Sequence, residues 1–109
     1  MSKFTYNLAV QIVRFVDASN PGVVACEFLD ANDIRHTIID KVPVVSLLDL
    51  DASSKYPQPG AVRCEVLMRW HDAGGRERAR ITTEIESTEE SFEFVVLSSQ
   101  LSIESNQGD

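Results

Sequence analysis

Val62-Arg63-Cys64-Glu65-Val66-Leu67-Met68-Arg69-Trp70, answered by Arg78-Ala79-Arg80-Ile81-Thr82-Thr83-Glu84-Ile85-Glu86, decides the fold. In the first run Val62, Cys64, Val66, Met68 and Trp70 fall on one face, with Arg63, Glu65 and Arg69 on the other. In the second, Ala79, Ile81, Thr83 and Ile85 alternate with charged and polar positions. A period of two is the signature of a strand with one buried face. Asp72-Ala73-Gly74-Gly75 between them predicts a hairpin that sets His71 opposite Arg76. The same register sets Met68 against Ala79, Val66 against Ile81 and Val62 against Ile85. It also places Arg63 across from Glu84 on the solvent face, an opposite-charge pair that cross-strand packing favours. A slip of one residue would mix the two faces.

The same period extends outward. Residues 4–16, with Leu8, Val10 and Ile12 on one face and Val13 and Phe15 on the other, predict a long first strand. Asn20-Pro21-Gly22 stops it, residues 23–29 and 34–40 form a hairpin around Asp30-Ala31-Asn32-Asp33, and Pro43 breaks ladder pairing. Ser46 with Asp49 three residues on predicts an N-cap and a short helix across 46–54 after a strand through Val44 and Val45. Tyr56-Pro57-Gln58-Pro59-Gly60 is a stiff loop that Gly60 ends. Residues 92–97, apolar on both faces, predict a central strand. The expected architecture is all-β: a small antiparallel sandwich or barrel of six to seven strands with at most one short helix. It occupies residues 1–98, and residues 99–109 are expected to form a polar, disordered tail.

With 109 residues the chain makes one domain, large enough to bury roughly two thirds of the surface its unfolded form exposes. No apolar run reaches the length of a membrane span, and the opening Met1-Ser2-Lys3-Phe4-Thr5-Tyr6-Asn7 makes a poor secretory signal. A cytoplasmic protein is expected. Cys26 and Cys64 sit in apolar alternating runs without ligand spacing, which predicts two buried thiols, a bridge between them being the alternative.

Groups for catalysis are sparse. His36 shares a strand face with Ile34 and Ile38, the setting of a hydrogen-bonded core histidine more than of a base; His71 stands at the hairpin shoulder. No nucleophile motif or phosphate-cradling loop is present. Asp30, Asn32 and Asp33, or Asp49 and Asp51, lack the spacing and ligand count of a cation site. Glu84 and Glu86 share a face about 7 Å apart, but no set of exposed aromatics supplies a sugar cleft. No cofactor, no metal and no enzymatic activity are expected. Arg63, Arg69, Arg76, Arg78 and Arg80 could touch phosphates, yet acids are interleaved with them and the pI is near 4.7, which opposes nucleic-acid binding.

Charge is segregated along the chain. All ten basic residues lie at or before Arg80, where ten acids cancel them. The formal charge of −7 is therefore carried by Glu84, Glu86, Glu89, Glu90, Glu93, Glu104 and Asp109. Five of these fall between 84 and 93 with no base among them. Such a run is either a solvated strand end or a docking surface for a basic protein, since complementary charge speeds encounter and sets orientation. Glu84, Glu86, Glu89, Glu90 and Glu93 are the expected contacts, with Tyr56 in its proline loop as the aromatic anchor.

In length, acidity, single-domain β character and lack of a catalytic set, the chain resembles the small acidic immunity proteins of bacterial toxin–immunity systems, including those of contact-dependent growth inhibition. Lys41-Val42-Pro43-Val44-Val45 and Tyr56-Pro57-Gln58-Pro59-Gly60 are similar to patterns in small bacterial proteins. The resemblance implies a protein that binds its cognate toxin and covers the active site, and the acidic run, which mimics a phosphate array, points to a basic, nuclease-like toxin as that partner. It transfers no residue role. The alternative is a self-associating structural or regulatory β domain, pairing its long first strand in a homodimer. A third reading is a ligand-binding barrel around His36.

Overall fold

The computed structural model describes residues 3–103. Seven strands form one antiparallel sheet: β1 (Tyr6–Asp17), β2 (Val23–Leu29), β3 (Arg35–Lys41), β4 (Gln58–His71), β5 (Glu77–Thr83), β6 (Glu93–Leu97) and β7 (Leu101–Ile103). Their order is β3-β2-β1-β4-β5-β6, with β7 paired to β1 beside β2. The sheet curls into a half-barrel, so of the two architectures expected the barrel is the nearer. Its inner face gathers Leu8, Val10 and Ile12 of β1, Val24, Cys26 and Phe28 of β2, Val62 and Cys64 of β4, Ile81 of β5, and Phe94 and Val96 of β6.

Curvature comes from bulges. One in β1 between Ile12 and Arg14 turns Phe15 back to the inner row, opposite Val24. A second, in β4 between Val66 and Met68, corrects the expected register. Val66 faces Ile81 and Cys64 faces Thr83 as expected, but beyond Leu67 the pairing moves by one, so Met68 meets Arg80 and His71 meets Glu77. The extra residue exchanges the two faces of the strand. Met68 and Trp70 therefore leave the apolar row for the outer face, and Arg69 enters the inner row opposite Ala79, with its guanidinium 5.4 Å from the Tyr6 ring centroid. The Arg63–Glu84 pairing survives because it lies below the bulge.

Further expectations are corrected. The strand expected at the centre of the sheet, β6, is one of its two edges. The helix is α1, Val42–Val45, and Ser46 closes it instead of opening it. Pro43 lies in the first turn, where its fixed φ and missing N–H suit a helix start. Ser46 Oγ accepts from the Leu48 N–H in a tight turn, which leaves Leu47 and Leu48 in solvent while Leu50 is buried. The strand expected through Val44 and Val45 is absent, and β4 begins already at Gln58. The boundary expected after residue 98 also falls short. Ser98–Gln100 make a 3-10 turn and Leu101–Ile103 pair with Tyr6–Leu8. Gln100 locks this return, accepting from the Leu97 N–H and donating to the Leu29 carbonyl. The remainder of the expected tail, 104–109, lies outside the described residues.

Gly60 is required by close approach. A Cβ there would stand 2.8 Å from Ile12 Cδ1 and 2.9 Å from the Val45 carbonyl oxygen, so α1 rests directly on β4. Gly60→Ala should destabilise the fold by about 1–3 kcal/mol, the usual cost of overpacking; a shift of the urea midpoint measures it. Cys26 and Cys64 are free and buried. Burial, helped by Asp40, pushes the Cys26 thiol up to about 12, and burial alone pushes Cys64 up to about 11. Because the thiolate is the reactive form, both should modify with an aromatic disulfide reagent only as fast as the protein unfolds, read by the rate of thiol release.

Candidate functional site

The acidic run is the β5–β6 connection, and local chemistry shapes it into a rigid platform. At its base Thr83, buried, donates its N–H to the Phe92 carbonyl at 2.8 Å and its hydroxyl to the Ile85 carbonyl at 2.7 Å. Glu84 N–H reaches the Arg63 carbonyl. Ser87, also buried, organises the tip. Its N–H donates to the Ser91 carbonyl, its carbonyl accepts from Glu90 N–H, and its hydroxyl oxygen accepts from the N–H groups of Glu89 and Ser91. Glu90 adopts φ 64°, a left-handed conformation that closes the turn. Thr88 N–H donates to the Thr37 carbonyl of β3 at 2.9 Å, fastening the loop to the opposite rim.

All five expected glutamates thus lie on or beside one loop, but their charges are unequal. Glu84 lies 3.9 Å from the Arg63 guanidinium, Glu93 lies 3.3 Å from Arg80, and Glu89 lies 3.3 Å from His36. Glu86 and Glu90 are exposed and carry no ion pair among the described residues. Exposed pairs of this kind are worth about 1 kcal/mol or less, yet they cancel the far field of their glutamates. Tyr56, expected as an exposed anchor, is half-buried against the core and donates its hydroxyl to the Asp51 carbonyl at 2.7 Å. The exposed aromatic of this connection is Phe92 (45% exposed), expected in the last strand. β6 starts one residue later, at Glu93, and the flanking Ser91 and Glu93 were the signal that Phe92 stands at a strand mouth.

Each arginine of the β4–β5 hairpin has a carboxylate beside it. Arg63 and Arg80 pair as above, Arg69 lies 3.5 Å from Glu77, and Arg76 and Arg78 lie 3.6 and 2.8 Å from Asp72. Arg78, followed by the Arg76 N–H, holds the Asp72 carboxyl down at about 2. Asp51 is wrapped by Ser53 and Ser54. Among the described residues no three His, Cys, Asp or Glu side chains gather as a metal site. A groove of about 660 Å³ runs along β1 between the ends of β2 and β7, lined by Ala9, Gln11, Glu27, Leu29, Arg35 and Pro59, and His36 does not line it.

His36 sits where the rims meet. Its Nε2 is 2.8 Å from Asp30 Oδ2 and its Nδ1 is 3.3 Å from Glu89 Oε1. The ring lies against Phe28 and Phe94, with centroids 5.3 and 4.8 Å away. His36 lies in β3 as its alternation predicts, but alternation gives no sign of the two carboxylates, six and 53 residues away. Asp30 is held by N–H groups of Asn32 and Ile34 on its other oxygen. Burial works to lower the His36 pKa, but the two carboxylates outweigh it and raise it above its ordinary 6.5. Burial likewise opposes ionisation of Asp30, and the His36, Ile34 and Asn32 donors outweigh it, leaving the pKa below its ordinary 3.8.

No helix of the described residues is long and apolar enough to cross a membrane. Compared with known proteins, the chain matches no family model, no curated protein and no solved structure.

The Asp30–His36 pair has a definite pH window. The raised histidine contributes fully below its ordinary 6.5 and loses its contribution as pH rises through its folded value. The depressed aspartate contributes fully above 3.8 and loses its share as pH falls through its folded value. Between about pH 6 and about pH 9 the urea midpoint of the wild type should fall, and that of His36→Gln should fall less. Parallel declines would assign the pH dependence to other groups.

Proposed function

We propose that this protein is a cytoplasmic, non-enzymatic binding module that docks a basic protein on the β5–β6 loop, in the manner of an immunity protein covering the active site of a nuclease-like toxin. The observation that carries the reading is a loop hydrogen-bonded at its base and to β3, carrying two exposed glutamates without an ion pair, Glu86 and Glu90, and the exposed Phe92 on the same connection. A pre-ordered loop avoids most of the entropy of fixing an interface. Negative charge steers a basic surface toward it, and an exposed aromatic on the same connection supplies the buried contact that charge alone lacks. The contact set is narrower than the run of acids: Glu84 and Glu93 have arginine counter-charges, Glu89 has His36 while that ring is protonated, and Tyr56 is half-buried against the core.

Support for a non-enzymatic role comes from His36, whose two nitrogens both face carboxylates of this chain and whose ring does not line the groove. The paired arginines of the β4–β5 hairpin weigh against phosphate binding. Self-association is less favoured because β1, the strand it would use, lies inside the sheet with β4 on one edge and β2 and β7 on the other.

The test needs a basic partner captured on the immobilised protein and stopped-flow association at several salt concentrations. Replacing both Glu86 and Glu90 by Gln should slow association about tenfold at low salt and flatten its salt dependence. Replacing Glu84 and Glu93 should do much less. Equal effects of the two pairs, or none, would refute docking on this loop.

A further inference from the structure

We propose that His36 is a proton-operated clasp: the doubly protonated ring fastens the acidic β5–β6 loop to the β2–β3 hairpin, and loss of one proton releases the loop at Glu89. The clasp regulates the same face proposed for docking and rests on that reading for its biological meaning, though not for its existence.

The geometry requires it. A carboxylate only accepts hydrogen bonds, so contacts from both ring nitrogens to carboxylates need a proton on each nitrogen. The neutral ring keeps one. The contact to Asp30 is the shorter, and it joins two side chains that are 14% and 13% exposed. Asp30 is also pinned by two backbone N–H groups and cannot turn away. Glu89 is 51% exposed, sits 3.3 Å from Nδ1, and can be solvated instead. The single proton therefore stays on Nε2, and the bare Nδ1 lone pair faces the Glu89 carboxylate, which repels it. Charge-assisted contact becomes repulsion.

No other group intervenes. The β2–β3 turn presents Asp30 and the acidic loop presents Glu89, while β2 and β6 present the uncharged rings of Phe28 and Phe94. Arg35, next in β3, pairs with Glu27, and Arg78 bonds Asp72 and Asn32. One tie from the loop to β3 then stands beside the clasp, the Thr88 N–H to the Thr37 carbonyl, and it belongs to the residue before Glu89. The raised pKa of His36 puts the change on the alkaline side of its ordinary 6.5. Above it, the docking face gains a free carboxylate and loses part of its bracing.

The experiment uses the full chain, alone, with ring protonation followed by NMR and amide exchange at Thr88 expressed as a protection factor. In the wild type, protection should fall about fivefold in step with His36 deprotonation, the scale of a half-exposed charged hydrogen bond. Glu89→Gln keeps the shape, and its amide can accept from or donate to Nδ1. In that variant the Thr88 step should vanish and the His36 pKa should drop. A flat Thr88 profile in the wild type, or a step that persists in Glu89→Gln, overturns the clasp. If Thr88 follows His36 while Glu86 and Glu90 prove irrelevant to partner association, the clasp stands and the docking reading falls.

Discussion

An antiparallel sheet that buries only one face must curl until that face is enclosed, and its two outer strands must then find partners. This closure is the constraint on which the rest of the molecule depends. Unpaired edges invite aggregation, and β3 and β6 are the edges here. Their flanking segments bridge them: the β2–β3 turn donates Ala31 N–H to the Val95 carbonyl of β6, the β5–β6 loop donates Thr88 N–H to the Thr37 carbonyl of β3, and His36 bonds both segments. Bulges in β1 and β4 supply the coil that brings the edges within reach. The acidic loop is therefore part of the closure as well as an exposed surface.

Much of this is legible in the chain. Period-two patterning locates β1 to β5, since one-sided burial leaves an apolar residue at every second position; β6 shows only as a short apolar run, which points to the centre of the sheet although the strand is an edge. What the pattern conceals is any place where the count changes by one. Nothing in Val66-Leu67-Met68 separates a bulge from regular strand, because all three are apolar, and so the outward turn of Met68 and Trp70 is invisible. Leu101-Ser102-Ile103 is too short for a period to register, and only the bonds of Gln100 reveal that it returns to β1. Ser46 with Asp49 satisfied a capping rule that Pro43, three residues earlier, overrode by starting the helix first.

The candidate site teaches a related lesson about charge. Acids and bases separated along the chain are brought together by antiparallel pairing, because a hairpin folds the acidic end of one strand onto the basic body of its neighbour. Arg63 and Glu84, 21 residues apart, became legible once the register was drawn. Arg80 and Glu93 needed the β5–β6 pairing as well. On the acidic loop these pairings leave less than its five glutamates imply: two carboxylates without an ion pair and a phenylalanine, on a backbone hydrogen-bonded at Thr83, Ser87 and Thr88.

The identity of the side chain at position 36 ties closure to charge. A lysine or arginine between Asp30 and Glu89 would hold the two rims together at every physiological pH, and a leucine would bury well against Phe28 and Phe94 but strand Asp30 in a largely desolvated turn. Histidine alone meets both demands. Its ring packs against the aromatics while its nitrogens satisfy both carboxylates, and that dual fit makes the fastening conditional on one proton. Because Asp30 is held by backbone donors and Glu89 is not, the asymmetry of the two contacts fixes which side opens. The half-barrel can remain closed through Ala31 and Val95 while the loop carrying Glu86 and Glu90 is loosened, so a change at the seam reaches the exposed face without unfolding the sheet.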